Sequence, residues 1–193
     1  MRNAIHTIGH STRPVETFIE MLRAAGVTRL VDVRAVPRSR FNPQYNRAAL
    51  EVALIAAGIE YRAMPSLGGL RKTSAASPNV GLKEGFRGFA DYALTPAFRA
   101  ALDELTALAA ERPAAFMCAE ADWRNCHRQL IADRLLAEGH DVRHIMKDGI
   151  ETAELNPAAE RRADGLVYAR PAARKTPAKK KRDDPRSPRL PGL

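Results

Sequence analysis

The sequence predicts an α/β fold. One domain spans residues 1–160, a mainly parallel five-stranded sheet flanked by helices, and a disordered basic tail follows over 161–193. Three observations predict this. Short apolar runs alternate with stretches of helical period, which is the pattern of a parallel sheet with crossover helices. The clearest run, 30–33, is short and largely apolar, as a strand buried on both faces should be. A chain of 193 residues, 45% hydrophobic and 27% charged, fills one core well and two poorly.

The elements follow in order. Residues 4–8 are the first strand. A helix comes next, with Pro14 in its first turn, Val15, Phe18, Ile19 and Leu22 on one face, and Gly26 as its stop. The run 30–33 is the second strand. Leu50, Ala53, Leu54 and Ala57 mark a helix ended by Gly58, and 59–64 is the third strand. A long irregular stretch over 65–85 carries four glycines together with Arg71, Lys72 and Lys83, and loops of that length in compact domains are usually functional or disordered; a lid is expected. Thr95-Pro96 caps and opens a helix whose apolar stripe is Phe98, Leu102, Leu105 and Ala109. Residues 114–118 form the fourth strand, 125–138 a helix stopped by Gly139, and 142–145 the fifth strand. No element is read over 146–160.

The formal charge of +9 is unevenly placed: residues 161–193 carry +8 and residues 1–160 only +1. The tail is rich in proline and poor in large apolar side chains, so it has too little to bury to offset its ordering entropy. Its run Lys179-Lys180-Lys181-Arg182 suits non-specific contact with nucleic-acid phosphates, or serves only solubility. No apolar run approaches the ~20 residues that span a bilayer, so no membrane partner is expected. The first residues lack the apolar stretch of a secretory signal, and two cysteines make no disulfide framework; the expected setting is cytoplasmic.

In an open parallel sheet, ligands bind beyond the carboxyl ends of the strands. That edge collects Gly9-His10-Ser11, Asp32 and Arg34 with Arg38-Ser39-Arg40, Gly68-Gly69, Cys118 and Glu120, and Cys126-His127-Arg128. The opposite edge is chemically plain, holding Gly26-Val27-Thr28, Gly58, Arg112-Pro113 and Gly139-His140-Asp141. The asymmetry marks the site.

The same segments carry a resemblance. Thr7-Ile8-Gly9-His10-Ser11, Val31-Asp32-Val33-Arg34 with Pro37-x-Ser39-Arg40, and Leu67-Gly68-Gly69 come first; Phe86-Arg87-Gly88-Phe89-Ala90-Asp91-Tyr92 and Cys118-Ala119-Glu120…Cys126-His127-Arg128 follow. In that order, over roughly residues 5–145, the chain resembles the family called domain of unknown function 488. The resemblance implies the same α/β architecture and brings no activity with it.

Read chemically, Cys126 stands near a helix start beside His127 and Arg128, all of which favour a thiolate. One reading makes Cys118 or Cys126 a nucleophile with His10 or His127 as base; another makes both cysteines plain core residues. Cys118, Cys126, His127 and His10 also offer zinc ligands. They lack the short C-x₂₋₄-C spacing of a structural site, so no metal or other cofactor is expected and zinc is the lesser alternative. A redox pair is the third possibility. Cys118-x₅-Arg124 matches the phosphatase signature in letters, but the intervening Glu120 and Asp122 oppose a phosphate dianion and no glycine shapes the loop. The run 30–34 is similar to an early strand of rhodanese domains, whose sulfur-transfer loop is absent.

Asp32 and Glu120 are either an acid/base pair or partners of nearby arginines. Arg34, Arg38, Arg40 and Arg128 are expected to converge on the rim as candidate anion ligands, joined by Arg71, Lys72 and Arg87, with Ser11, Ser39, Gly68 and Gly69 beside them. Trp123 reads either as a stacking partner for a base or, more plainly, as packing, and His140 and His144 read as structural. The expected function is an enzyme acting on an anionic small molecule, nucleotide or nucleic-acid component. The alternatives are a non-catalytic nucleic-acid-associated module that binds through its tail, and a zinc-binding or thiol redox regulator.

Overall fold

A computed structural model describes residues 4–169. Five parallel strands are β1 (Ile5–Gly9), β2 (Arg29–Asp32), β3 (Glu60–Ala63), β4 (Ala114–Cys118) and β5 (Val142–Met146). A sixth, β6 (Gly149–Thr152), is antiparallel to β5, and the order across the sheet is β3-β2-β4-β1-β5-β6.

The helices are α1 (Val15–Ala24), α2 (Arg47–Ala56), α3 (Glu84–Tyr92), α4 (Pro96–Glu111) and α5 (Arg128–Ala137). Alternating side chains of β1, β2, β4 and β5 feed two cores. Leu30, Ala115, Met117, Ile8 and Ile145 pack with Phe18, Leu22, Leu50 and Leu54 of α1 and α2. Val31, Phe116, Ile5 and Val142 pack with Phe89, Phe98, Leu102, Leu105, Ile131 and Leu135 of α3, α4 and α5. Local signals place the helix ends: Thr95 Oγ1 accepts from the Phe98 N–H at 3.3 Å, and Gly26 and Gly58 take the left-handed conformation that closes α1 and α2.

The connection leaving β1 runs toward β2 and β3, whereas the one leaving β4 passes to β5 on the far side of β1. The crossovers therefore part at β1 and β4. That is the switch point where an open α/β sheet leaves a crevice for a ligand.

Three expectations need correction. The sheet has six strands rather than five, because β5 turns back through Lys147-Asp148 into β6; every residue of β6 is exposed, so it carries no apolar alternation to betray it. Helix α3 begins inside the stretch expected to be irregular up to residue 85. Gly85 and Gly88 weaken its helical signal, yet an added Cβ at Gly88 would stand 2.2 Å from the Arg71 carbonyl, so only glycine permits that approach. Nor is the irregular stretch loose, since the Ser74 N–H, Ser77 hydroxyl and Asn79 amide all donate to Asp91.

The third correction concerns the tail, whose composition places its start at 161. A hairpin of β7 (Ala159–Arg162) and β8 (Gly165–Tyr168) packs on the domain instead. Leu166, Val167 and Tyr168 are buried, Tyr168 donates its hydroxyl to Asp133 Oδ2 at 2.7 Å, and its backbone pairs with Asn79 and Gly81. Three apolar residues are hard to see against the basic composition around them. The rest of the expected tail, from residue 170 and including Lys179–Arg182, lies outside the described residues.

Burial raises the Asp133 carboxyl to about 6, against hydrogen bonds from the Asn156 N–H and the Tyr168 hydroxyl. A carboxyl raised in the folded state binds its proton more tightly there than in the unfolded chain. Its contribution is complete below pH ~4 and is lost as pH rises to about 6, a change of about 3 kcal/mol. Asp133→Asn is expected to flatten that part of the stability–pH curve in urea titrations, and an unchanged slope would refute the assignment.

Candidate functional site

At the β1/β4 switch point a cavity of about 810 Å³ opens on the carboxyl edge. Its wall contains ten of the residues read from the sequence: His10, Ser11, Arg34, Arg38, Ser39, Gly69, Cys118, Glu120, Cys126 and His127. Four others, Asp32, Arg40, Gly68 and Arg128, do not line it.

The sulfur and imidazole groups come together. Cys118 ends β4, and Cys126 and His127 precede α5. Neighbours in a strand point to opposite sides, but here the backbone changes from extended at Cys126 (φ −130°, ψ 147°) to helical at His127 (φ −59°, ψ −14°), so both side chains reach the same point. His127 Nδ1 lies 3.8 Å from Cys118 Sγ and 3.7 Å from Cys126 Sγ. The cysteines are free thiols. They behave as one titrating unit: the hydrogen bond from Cys118, then His127 and the Arg128 charge, pull the Cys126 thiol down, while the same bond and burial push the Cys118 thiol up.

Gly69 faces this cluster. A Cβ there would stand 2.6 Å from His127 Nδ1, with Phe89 against the ring at a centroid distance of 5.0 Å. The imidazole is held between a glycine and a phenyl ring, and its Nε2 is buried without a partner.

Arg128 lies behind the wall, 1% exposed. It donates to Thr7 Oγ1 at 3.1 Å and to the Glu120 carbonyl at 2.6 Å, tying β1 to the loop after β4. Gly9 is required at that crossing, because a Cβ would fall 1.7 Å from the Glu120 carbonyl oxygen. Among the described residues no carboxylate pairs with Arg128, and its charge acts on the Cys126 thiol.

The opposite wall is built by Asp32. Its carboxylate is 1% exposed and accepts from Arg34 Nε (2.8 Å), Arg34 Nη2 (2.6 Å) and the Tyr61 hydroxyl (2.8 Å). Arg34 also donates to the Tyr45 carbonyl and, through Nη1, to His10 Nε2 at 3.3 Å. His10 stacks on Tyr45 and donates Nδ1–H to the Ser11 carbonyl at 2.7 Å. Burial lowers His10 to about 4, and its remaining lone pair is already taken by Arg34. In this geometry His10 is a fixed neutral wall group rather than a free base for a cysteine. Asp32 positions Arg34 and does not face Glu120 across the cavity.

The other candidates sort by what they touch. Ser11 lines the wall in the left-handed region (φ 50°), uncommon for a residue other than glycine and typical of functional loops. The Ser39 hydroxyl accepts the Asn42 N–H and its own N–H donates to Asn46, which shapes the Arg38 loop. Arg38 is exposed at the cavity, while Arg40 is exposed away from it. Gly68 is buried against Ala35, where a Cβ would come within 2.7 Å. Arg71 and Arg87 are held by backbone carbonyls, Arg71 also lying over the Tyr92 ring. Trp123 stacks on His144 at 4.2 Å and packs under Arg124, which pairs with Asp122 and Glu151. Arg124 is engaged in those contacts and does not line the cavity with Cys118, so the phosphatase-like spacing does not bring the two together in one pocket.

Lys83 reads in the sequence as one more basic residue of the irregular stretch, yet it lines the cavity together with Phe86, Asn42 and Asn125. The signal available is its place directly before a glycine-containing helix. The charged lining is then Arg34, Arg38 and Lys83 against Glu120.

No helix among the described residues is long and apolar enough to cross a membrane. Neither the curated proteins nor the solved structures compared with the sequence gave a match. One family model, Domain of unknown function DUF488, matches residues 14–135, a span that holds Asp32, Arg34, Gly69 and the whole Cys118–Arg128 segment, and the chain belongs to that family.

Proposed function

We propose that this protein is an enzyme acting on an anionic small molecule of nucleotide size, with Cys118, Cys126 and His127 as its reacting centre. One observation carries the reading: a single cavity joins that cluster to three cationic side chains and only one carboxylate. A volume of about 810 Å³ suits a small-molecule ligand. Arg34 enters already oriented by Asp32, which lowers the entropy lost on binding. Arg38 and Lys83 form no ion pair among the described residues and are free to meet phosphate or carboxylate oxygens. Val36, Leu70 and Phe86 also line the cavity, so the uncharged part of the ligand meets apolar surface.

Pyrophosphate and nucleoside phosphates are expected to raise the melting temperature, an effect that weakens with salt. Arg38→Ala and Lys83→Ala should each lower pyrophosphate affinity about fivefold, equivalent to ~1 kcal/mol. Calorimetric titration checks this, and equal binding by both variants would reject the anion site. Nucleic-acid association through Lys179–Arg182 is a separate reading, tested by deleting residues 170–193. If deletion removes nucleic-acid binding and leaves pyrophosphate binding intact, the tail and the cavity have different ligands.

A further inference from the structure

We infer that Cys118, Cys126 and His127 hold a transition-metal ion of the zinc class, with its fourth coordination position open to the cavity. This deepens the reading of the same site and rests on it for the nature of the fourth ligand. The first support is metric. A tetrahedral ion ~2.3 Å from sulfur and ~2.1 Å from nitrogen sets those atoms ~3.6 Å apart. The structure places His127 Nδ1 3.7 and 3.8 Å from the two sulfurs, and all three ligand atoms lie within 4.8 Å of one another. An ordinary hydrogen bond to sulfur would not require one nitrogen to stand nearly equidistant from both.

The second support is chemical. Two thiolates and an imidazole are the donors that select zinc over harder cations. The sequence spacing concealed this, because ligands sought at short Cys-x-x-Cys intervals are here supplied by a strand end and by two adjacent residues at a helix start. The third support is the shape of the surroundings. All three residues line the cavity, and no fourth Cys, His, Asp or Glu joins the cluster among the described residues. Three protein ligands with one open position make a catalytic type of centre rather than a closed structural one.

Charge then selects what completes it. Two thiolates neutralise a divalent ion, while Arg128 stays buried behind the centre without a carboxylate. An anionic oxygen in the fourth position balances Arg128, and Arg34, Arg38 and Lys83 are placed to hold the rest of that anion. Gly69 is a positioning residue here: its missing side chain leaves room for the imidazole, and Phe89 supports the ring from another side.

The test uses the full chain, purified from zinc-supplemented cells and assayed for metal, then stripped and titrated with Co²⁺. About one zinc per chain is expected, with the intense visible bands of tetrahedral cobalt and sulfur-to-cobalt charge transfer. Cys118→Ser and Cys126→Ser should each lose part of the charge-transfer intensity. Gly69→Ala, which removes no ligand, should weaken cobalt binding by about tenfold, as changes around a metal's ligands commonly do. Wild-type protein gives the deciding result, which does not depend on whether any variant folds. Substoichiometric zinc together with a weak octahedral cobalt spectrum would overturn the proposal. If pyrophosphate still raises the melting temperature of that metal-free protein, only the metal inference falls. If tetrahedral cobalt forms and pyrophosphate neither shifts its spectrum nor stabilises the protein, the metal stands and the anionic-substrate reading falls.

Discussion

Replacing Asp32 with alanine is expected to cost the fold about 3–5 kcal/mol and to abolish anion binding in the cavity, because it removes one partner of a buried ion pair. Arg34 is only 6% exposed and would keep its charge with no other carboxylate paired to it among the described residues. The Tyr61 hydroxyl would lose its acceptor as well. Asp32→Asn keeps the volume but not the charge and should also destabilise. The double variant Asp32→Asn/Arg34→Met should be milder than the sum of its parts, since it removes the stranded cation together with its partner. Urea unfolding with an unchanged m-value measures each effect. A catalytic Asp32 makes the opposite forecast: an Asn variant as stable as wild type, still binding pyrophosphate, yet inactive.

The two readings of Asp32 show what the sequence could not decide. Its position at the end of β2 was legible from the apolar run that precedes it, as were β1, β3, β4 and β5 and the helices with strong stripes and stops. The rim followed from topology alone, since parallel strands gather their carboxyl ends on one edge. Which way each side chain turns along that edge was not legible. Arg34 reaches back to Asp32 and still lines the wall, Arg128 dives behind it to Thr7 and Glu120, and Arg40 turns away. The Arg34–Asp32 pair is local and was one of the two sequence readings, but Arg34 with His10 and Arg128 with Thr7 meet across 24 and 121 residues of chain, which no local pattern encodes. The adjacent pair Cys126-His127 is the sharpest case, because its convergence depends on one change of backbone conformation at the start of α5. The elements missed have a common cause too. β6 lacks apolar residues on a buried face, α3 is diluted by glycine, and the final hairpin is short and set in basic sequence.

That hairpin leads to the other large effect. A chain ended after residue 160, where composition alone would cut it, is expected to be severely destabilised, whereas one ended after Ala169 should melt with the full-length protein. Leu166, Val167 and Tyr168 are all at least 96% buried, and full burial of such a side chain contributes about 1.5–3 kcal/mol. Even discounted for a compact unfolded state, the three together approach ~5 kcal/mol, the whole stability margin of a marginal domain. The cut also strands Asp133, which loses the Tyr168 hydroxyl, and Asn79, whose side-chain oxygen accepts the Tyr168 N–H. Both consequences reach the site. Asp133 and Arg134 lie on α5, the helix whose start presents Cys126 and His127, and Asn79 belongs to the segment that leads to Lys83. The shorter chain should therefore lose pyrophosphate binding along with its melting transition. Equal melting temperatures for chains ended at 160 and 169 would show that the hairpin contributes nothing to the fold.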